Sequence, residues 1–385
     1  MPKCSLEHVH FSSRSGRLAR LPLEYKGGVD RRYAKGKNCY CIALLIPLCG
    51  TAGLWSPSCI ASAQVAVEEL NSEAGIKGRN VELIMIDSAI EASTPVENII
   101  NVLIANHKID AIVGMHISTI RQRLREVVRQ RVPYIYTPLY EGGEQTPGVF
   151  SIGETPSLQL VPAMDFLHNS YRLKRWALIG NDYIWPRVSH VVAKRKIREL
   201  STSLVYERYL PFGLTDIEQI LDELNRSQAD GVLLSLIGQD AVLFNRSFGE
   251  LALDHKMVRL SCAMEENELL ASGADGLRRL FSSASYFGVL RTEANAAFRE
   301  RYYGLHGDSA PLLNGIGQSI YEGVHFLASL IAVHGDQWRN LHIQDMPCMS
   351  YPSARLRRHG GSGQISIPVY LARADGIQFE VIKSL

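Results

Sequence analysis

A chain of 385 residues, 46% apolar and 21% charged, has the make-up of a soluble globular protein and is too long for one ordinary hydrophobic core. The formal net charge is only +2, and residues 1–38 hold 9 Lys or Arg against 3 acids, which leaves the remainder near −4. That balance excludes a global attraction for nucleic acid, and the apolar run after residue 38 is broken by Pro47 and Gly50 and too short for membrane insertion.

Residues 1–38 read as a basic, disordered extension, with His8 and His10 as bystanders rather than ligands. "CYCIALLIPLCGTAGLW" then follows a basic region and precedes "ASA", which copies a signal peptide with its cleavage site. Cleavage there would remove a strand, so Cys39–Pro47 reads as a buried parallel strand and the protein as cytoplasmic, with a periplasmic location as the alternative. The 7 cysteines, four of them at Cys39, Cys41, Cys49 and Cys59, have neither disulfide nor zinc spacing and read as small hydrophobes. No cofactor and no metal are expected.

Strands and helices alternate from there on. "CIALLIP" precedes a helix from about Pro57 to Glu73, "VELIMID" one from about Pro95 to His107, and "DAIVG" one through Arg129, before "PYIYTP" closes the series. "VFSIG" leads into a helix from about Ser157, and "RWALIG", "SLVYERYLP", "GVLLSLIG" and "VRLSCAM" alternate with further helices. After "LFSSASYFG" come helices at about Thr292–His306 and Gly315–His334, then "ISIPVYLAR" and "IQFEVIK" joined at Gly376 as a hairpin. The fold class is α/β, with two doubly wound parallel-sheet lobes. One lobe comprises residues 39–153 plus about 289–340, the other 154–288 plus about 341–385.

In open parallel sheets ligands sit beyond the carboxyl ends of the strands. The residues there are His116, Ser118 and Thr119; Tyr136, Thr137 and Tyr140; Tyr183 and Trp185; Ile237 and Gln239; Glu265 and Glu266; and Tyr286. Each has an ordinary structural role open to it: Ser118 as a helix cap, His116 as a satisfied loop histidine, Tyr136 as a core ring. Their recurrence at successive strand ends points instead to a pocket for a small, uncharged, partly polar molecule. P-loop, nucleophile-elbow and "HExxH" patterns are absent from the sequence. "GIGQSIYEG" lacks the strand a dinucleotide loop needs and reads as a closely packed helix start.

"AVEELNSEAGIKGRNVELIMID", "YTPLYEGGE", "GETPSLQLVPAMDFL", "IGNDYIWPR" and "ERYLPFGLTDIEQIL" occur in an order that resembles the type I periplasmic-binding-protein superfamily, from about Cys39 to the C-terminus. The branch it resembles holds the amide sensor that controls aliphatic amidase expression and the urea and short-chain amide receptors of ABC transporters. The resemblance implies two lobes joined by three crossovers, hinged near Gly153, Gly288 and Asn340, closing over one small ligand without reacting it. Carried onto this sequence, the amide contacts fall on Ser118, Tyr136, Tyr183 and Trp185, with Ile237, Glu266 and Tyr286 as neighbours. His116 stands where the sensor has a tyrosine, Pro138 where it has a threonine, and Trp185 where relatives have Tyr or Phe.

The function expected is therefore a non-enzymatic binding protein for a small neutral amide, urea or related solute. Its partner would be an ABC permease or an antiterminator regulator, and a homo-oligomer is compatible with either. The alternatives are an amidohydrolase using His116 and Glu266, for which the nucleophile or metal set is missing, a branched-chain amino acid receptor, and a ligand-independent interaction protein.

Overall fold

The computed structural model describes residues 7–11, 19–22, 39–346, 349–355, 358–359 and 365–385. Two short strands, β1 (Glu7–Phe11) and β2 (Ala19–Pro22), form an antiparallel hairpin at one sheet edge, where the sequence suggested disorder. The rest of that extension lies outside the described residues.

Strand β3 (Cys39–Ile46) is central in the first sheet. It runs parallel between β4 (Asn80–Asp87) and β5 (Ala111–Gly114), and β6 (Tyr134–Tyr136) and β7 (Val149–Ser151) continue the sheet from β5. Helices α1 (Ser56–Glu73), α2 (Val96–Ala105) and α3 (Ser118–Val128) connect them. Residues 40–46 are all buried because helices cover both faces of a parallel sheet, which is why this strand reads as one unbroken apolar run.

The second lobe begins at α4 (Pro156–Tyr171) and alternates β8 (Arg175–Asn181), α5 (Ile184–Glu199), β9 (Ser203–Leu210), α6 (Ile217–Arg226), β10 (Gly231–Ser235), α7 (Gly238–Glu250), β11 (Val258–Ser261), α8 (Glu266–Ser272) and β12 (Leu280–Ala284). Helices α9 (Glu293–His306) and α10 (Gly315–His334) then return to pack on α1. A small pair, β13 (Arg358–His359) and β14 (Ile365–Ser366), precedes β15 (Tyr370–Asp375) and β16 (Gln378–Ser384), which complete the second sheet antiparallel to β12. Gly376 makes the final turn at φ +60°. Pro368, with no N–H to give a ladder, separates the two strand segments of "ISIPVYLAR".

The glycines of "GIGQSIYEG" serve packing. Asn314 caps α10 by accepting the Gly317 N–H at 2.6 Å, and a Cβ on Gly317 would fall 2.1 Å from Ser58 Oγ of α1. The segment Gly315–Asn340 is long and apolar enough to cross a membrane, but 78% of its most apolar window is buried against the rest of the lobe.

The chain crosses between sheets after β7, after β12 and before β15. The third crossover comes later than Asn340. Leu341 O accepts the Gly148 N–H at 3.1 Å, Ser329 Oγ bonds Ser350 O at 3.1 Å, and the Phe326 and Tyr351 rings lie 5.4 Å apart. Residues 341–346 and 349–353 thus still belong to the first lobe, and the chain leaves it at Arg355. One buried cluster ties the crossovers together. Arg355 donates to Glu322 of α10 at 2.5 Å, and to Glu154 of the first crossover and Ser285 of the second at 3.1 Å each.

Removing one member of a buried, hydrogen-bonded ion cluster strands the charges of the others. Arg355→Ala should therefore lower unfolding stability by about 3 to 5 kcal/mol. Urea denaturation should show the midpoint falling at unchanged slope, and a loss below about 1 kcal/mol would mean that Arg355 does not hold the crossovers together.

Candidate functional site

The carboxyl ends of the two sheets face each other across a cleft whose unfilled space, adjoining open solvent included, is about 580 Å³. In the first lobe, Asp87 at the end of β4 accepts the N–H groups of Leu48 and Ala89, both at 2.9 Å. One carboxylate thereby fixes both the loop carrying Thr51 and Trp55 and the turn carrying Ser88, all of which line the cleft. Ser118 begins α3, and Tyr136 ends β6, its hydroxyl donating to His116 O at 2.7 Å. The Arg121 guanidinium lies behind Tyr136, 5.1 Å from the ring centre, and pairs with Glu141 at 2.7 Å, so its charge is neutralised away from the cleft.

In the second lobe Tyr183 and Trp185 follow β8, with ring centres 6.3 Å apart, and Phe212 packs on the other side of Tyr183 at 5.5 Å. Ile237 caps α7, its N–H held by Asn181 Oδ1 at 3.0 Å. The aromatic cluster of "DYIW" thus forms the second-lobe wall over a floor from the first lobe. Among the described lining residues the only charged side chain is Glu91, exposed at the mouth.

Four buried polar atoms on these walls have no hydrogen-bond partner in the protein: Trp55 Nε1, Ser88 Oγ, Ser118 Oγ and Trp185 Nε1. Ser118 lies beside the Tyr136 hydroxyl, whose own proton goes to His116 O, so the Ser118 O–H faces that phenolic oxygen while its lone pairs stay open to the cleft. Buried polar groups are ordinarily satisfied, so donors and acceptors left open on both walls mark where a polar solute or ordered water belongs.

His116 lines the cleft, yet its ring is spent internally. The Tyr134 hydroxyl donates to Nε2 at 2.8 Å, which places the proton on Nδ1, 3.2 Å from Ile117 O. Burial pushes its pKa down to about 3, so the ring stays neutral. Thr137, Glu266 and Tyr286 lie outside the cleft. Thr137 points to the opposite face of the sheet from Tyr136 and accepts from Ser319 Oγ of α10 at 3.1 Å. Glu266 accepts the Gly288 N–H at 2.8 Å, and Tyr286 donates to Asn295 Oδ1 at 2.7 Å, both beside the second crossover. Thr51, Trp55, Ser88 and Phe212 were not singled out from the sequence. Ser88 directly follows a strand and was accessible to the strand-end rule, whereas Thr51 and Trp55 sit in the stretch that imitates a signal peptide.

The lobes touch directly at the lip. Gln239 N–H donates to Thr51 O at 2.9 Å, and Gly238, at φ +51°, would place a Cβ only 2.0 Å from that same oxygen. Asn267 reaches Leu54 O at 3.3 Å, and Glu265 accepts the Gly315 N–H at 2.7 Å. The arrangement is closed.

Glu265, Glu266 and Glu268 stand together at the start of α8, all buried. Burial raises the carboxyl pKa of each, that of Glu268 to about 8 from an ordinary 4.5. A carboxyl whose pKa rises on folding favours the folded state at low pH and loses that contribution as pH climbs through the folded value. Stability should therefore decline between about pH 5 and 8. Glu268→Gln keeps an acceptor for the Glu265 N–H, so thermal melts across this range should show a shallower decline than wild type; an identical decline would remove Glu268 as its source.

A family model described as periplasmic binding protein matches residues 40–378. Among solved structures, the fold is similar to a solute-binding protein from R. palustris in complex with 4-hydroxybenzoate, at 16% identity, 90% coverage of this chain and 96% of that one, with a TM-score of 0.75. A substrate-binding protein from Sphaerobacter thermophilus matches at 20% identity, 90% and 98% coverage and a TM-score of 0.73. A leucine-binding protein from Thermotoga maritima matches at 15%, 90% and 98%, and 0.76. With the model spanning nearly the whole body, this chain belongs to the periplasmic binding protein family.

Proposed function

We propose that the protein is a non-enzymatic solute-binding protein whose lobes close over a small uncharged solute of the amide or urea class. The observation that carries this reading is the neutral lining with open hydrogen-bonding atoms on both walls: Ser88 and Ser118 on one side, Trp185 on the other. A planar amide offers both a carbonyl acceptor and N–H donors to such a set. An amidohydrolase reading finds no support, since His116 is neutral and internally bonded and Glu266 lies outside the cleft.

A second reading has an observation of its own. Similar folds carry leucine or 4-hydroxybenzoate, and the start of α3 at Ser118 can accept a carboxylate. With Glu91 as the charged lining side chain, a carboxylate would meet no cation, which favours the neutral solute. Titration calorimetry with acetamide, urea, leucine and 4-hydroxybenzoate separates the readings. Ser118→Ala and Trp185→Phe should each weaken the binding ligand by about 1 to 3 kcal/mol. Unchanged affinity in both would take these atoms out of the site.

Closure would present or hide a surface for an ABC permease or for an antiterminator regulator, and we assign the regulator variant a cytoplasmic location, with the receptor variant periplasmic. Support for the first comes from β3, the central strand, which cleavage after Ala63 would delete together with Thr51 and Trp55. N-terminal sequencing of the native protein should find Cys39–Pro47 retained. A start at Gln64 would overturn the cytoplasmic assignment.

A further inference from the structure

The loop at residues 211–216, between β9 and α6, carries one cleft-lining side chain, Phe212, while Pro211, Gly213, Thr215 and Asp216 are exposed. An exposed connection of this kind stays mobile unless something fastens it. The fastening comes from a neighbouring element. Asp240, wholly buried in the first turn of α7, turns its carboxylate onto the loop and accepts the Leu214 N–H at 3.0 Å and the Gly213 N–H at 3.3 Å. Asn181 Nδ2 donates to the same carboxylate at 2.7 Å, and its own Oδ1 holds Ile237 N–H at 3.0 Å. Three donors thus converge on one acid that touches no part of the cleft, and Gly213, at φ +76°, makes the turn that delivers both loop amides.

We propose that Asp240 is a positioning residue for the cleft: by anchoring Gly213 and Leu214 it holds Phe212 against Tyr183 as part of the aromatic wall, and so sets how fast a bound solute escapes. The inference rests on the reading of the cleft as a solute site. Its chemistry is specific to a carboxylate. A carboxamide offers a single acceptor atom, so in Asp240→Asn one end of the side chain must face an N–H donor with an NH₂ donor. The volume and the burial stay the same, and the anchoring does not.

The test combines local exchange with ligand release. In Asp240→Asn, hydrogen exchange at the Gly213 and Leu214 amides should quicken by about tenfold or more, while β8 and β10 amides keep wild-type protection. Acetamide, used as the probe, should dissociate several-fold faster, and so should it from Phe212→Ala. Adding Asp240→Asn to Phe212→Ala should then change the release rate little, because the acid acts through that ring. Wild-type exchange at both amides, or an acceleration undiminished in the Phe212→Ala background, would overturn the proposal. If acetamide fails to bind wild type, the amide reading falls. Acrylamide quenching of Trp185, taken as the difference from Trp185→Phe, then replaces release as the readout: greater quenching in Asp240→Asn supports the anchor, and equal quenching refutes it.

Discussion

Closure of this molecule depends on a position with no side chain. Gly238 begins α7 in a left-handed conformation directly against Thr51 O of the opposite lobe, and the adjacent Gln239 N–H bonds that oxygen. The three nearest atoms a methyl group there would meet all belong to Thr51 and Ala52 of the opposite lobe, and the positive φ adds backbone strain of its own. The same helix start carries Ile237 and Asp240, which places the lip contact, the cleft wall and the anchor of the Phe212 loop on consecutive residues. In the closed arrangement the aromatic wall and the first-lobe floor therefore meet at one helix start.

The cleft and the crossovers use polarity in opposite ways. At the crossovers, Arg355, Glu154, Glu322 and Ser285 hydrogen-bond one another in a buried cluster, which fixes where the three connections meet. In the cleft, the lining charge is confined to Glu91 at the mouth and Arg121 is neutralised by Glu141 behind the wall, while neutral hydroxyl and indole groups remain open. A neutral solute can complete such a set without a desolvated charge, whereas the crossover cluster would lose its compensation if any member were removed. A ligand shifts the lobes only by its difference in affinity for the open and closed arrangements, and contacts on both walls exist only when closed.

Much of the fold was legible because its signals are local. The unbroken apolar run of β3, the proline starts of α1 and α4, and the Asp375–Gly376 turn each act over a few residues. The third crossover was not, since Leu341, Ser350 and Tyr351 stay on the first lobe through contacts with Gly148, Ser329 and Phe326 that are distant in sequence. At the site, Ser118, Tyr136, Tyr183, Trp185 and Ile237 follow from the strand-end rule. That rule marks position along the strand but not face, and Thr137 shows the difference, adjacent to Tyr136 yet turned to α10. Phe212 lay beyond its reach, because a loop held by a remote carboxylate leaves no periodic trace.

Small-angle scattering with and without saturating acetamide, on wild type and on Gly238→Ala, tests the central claim most directly. The account predicts a smaller radius of gyration on binding for wild type and no contraction for Gly238→Ala, in which the added methyl group blocks the lip. Contraction of Gly238→Ala to the wild-type value, or an unchanged wild-type radius with binding confirmed by calorimetry, would contradict closure over the solute.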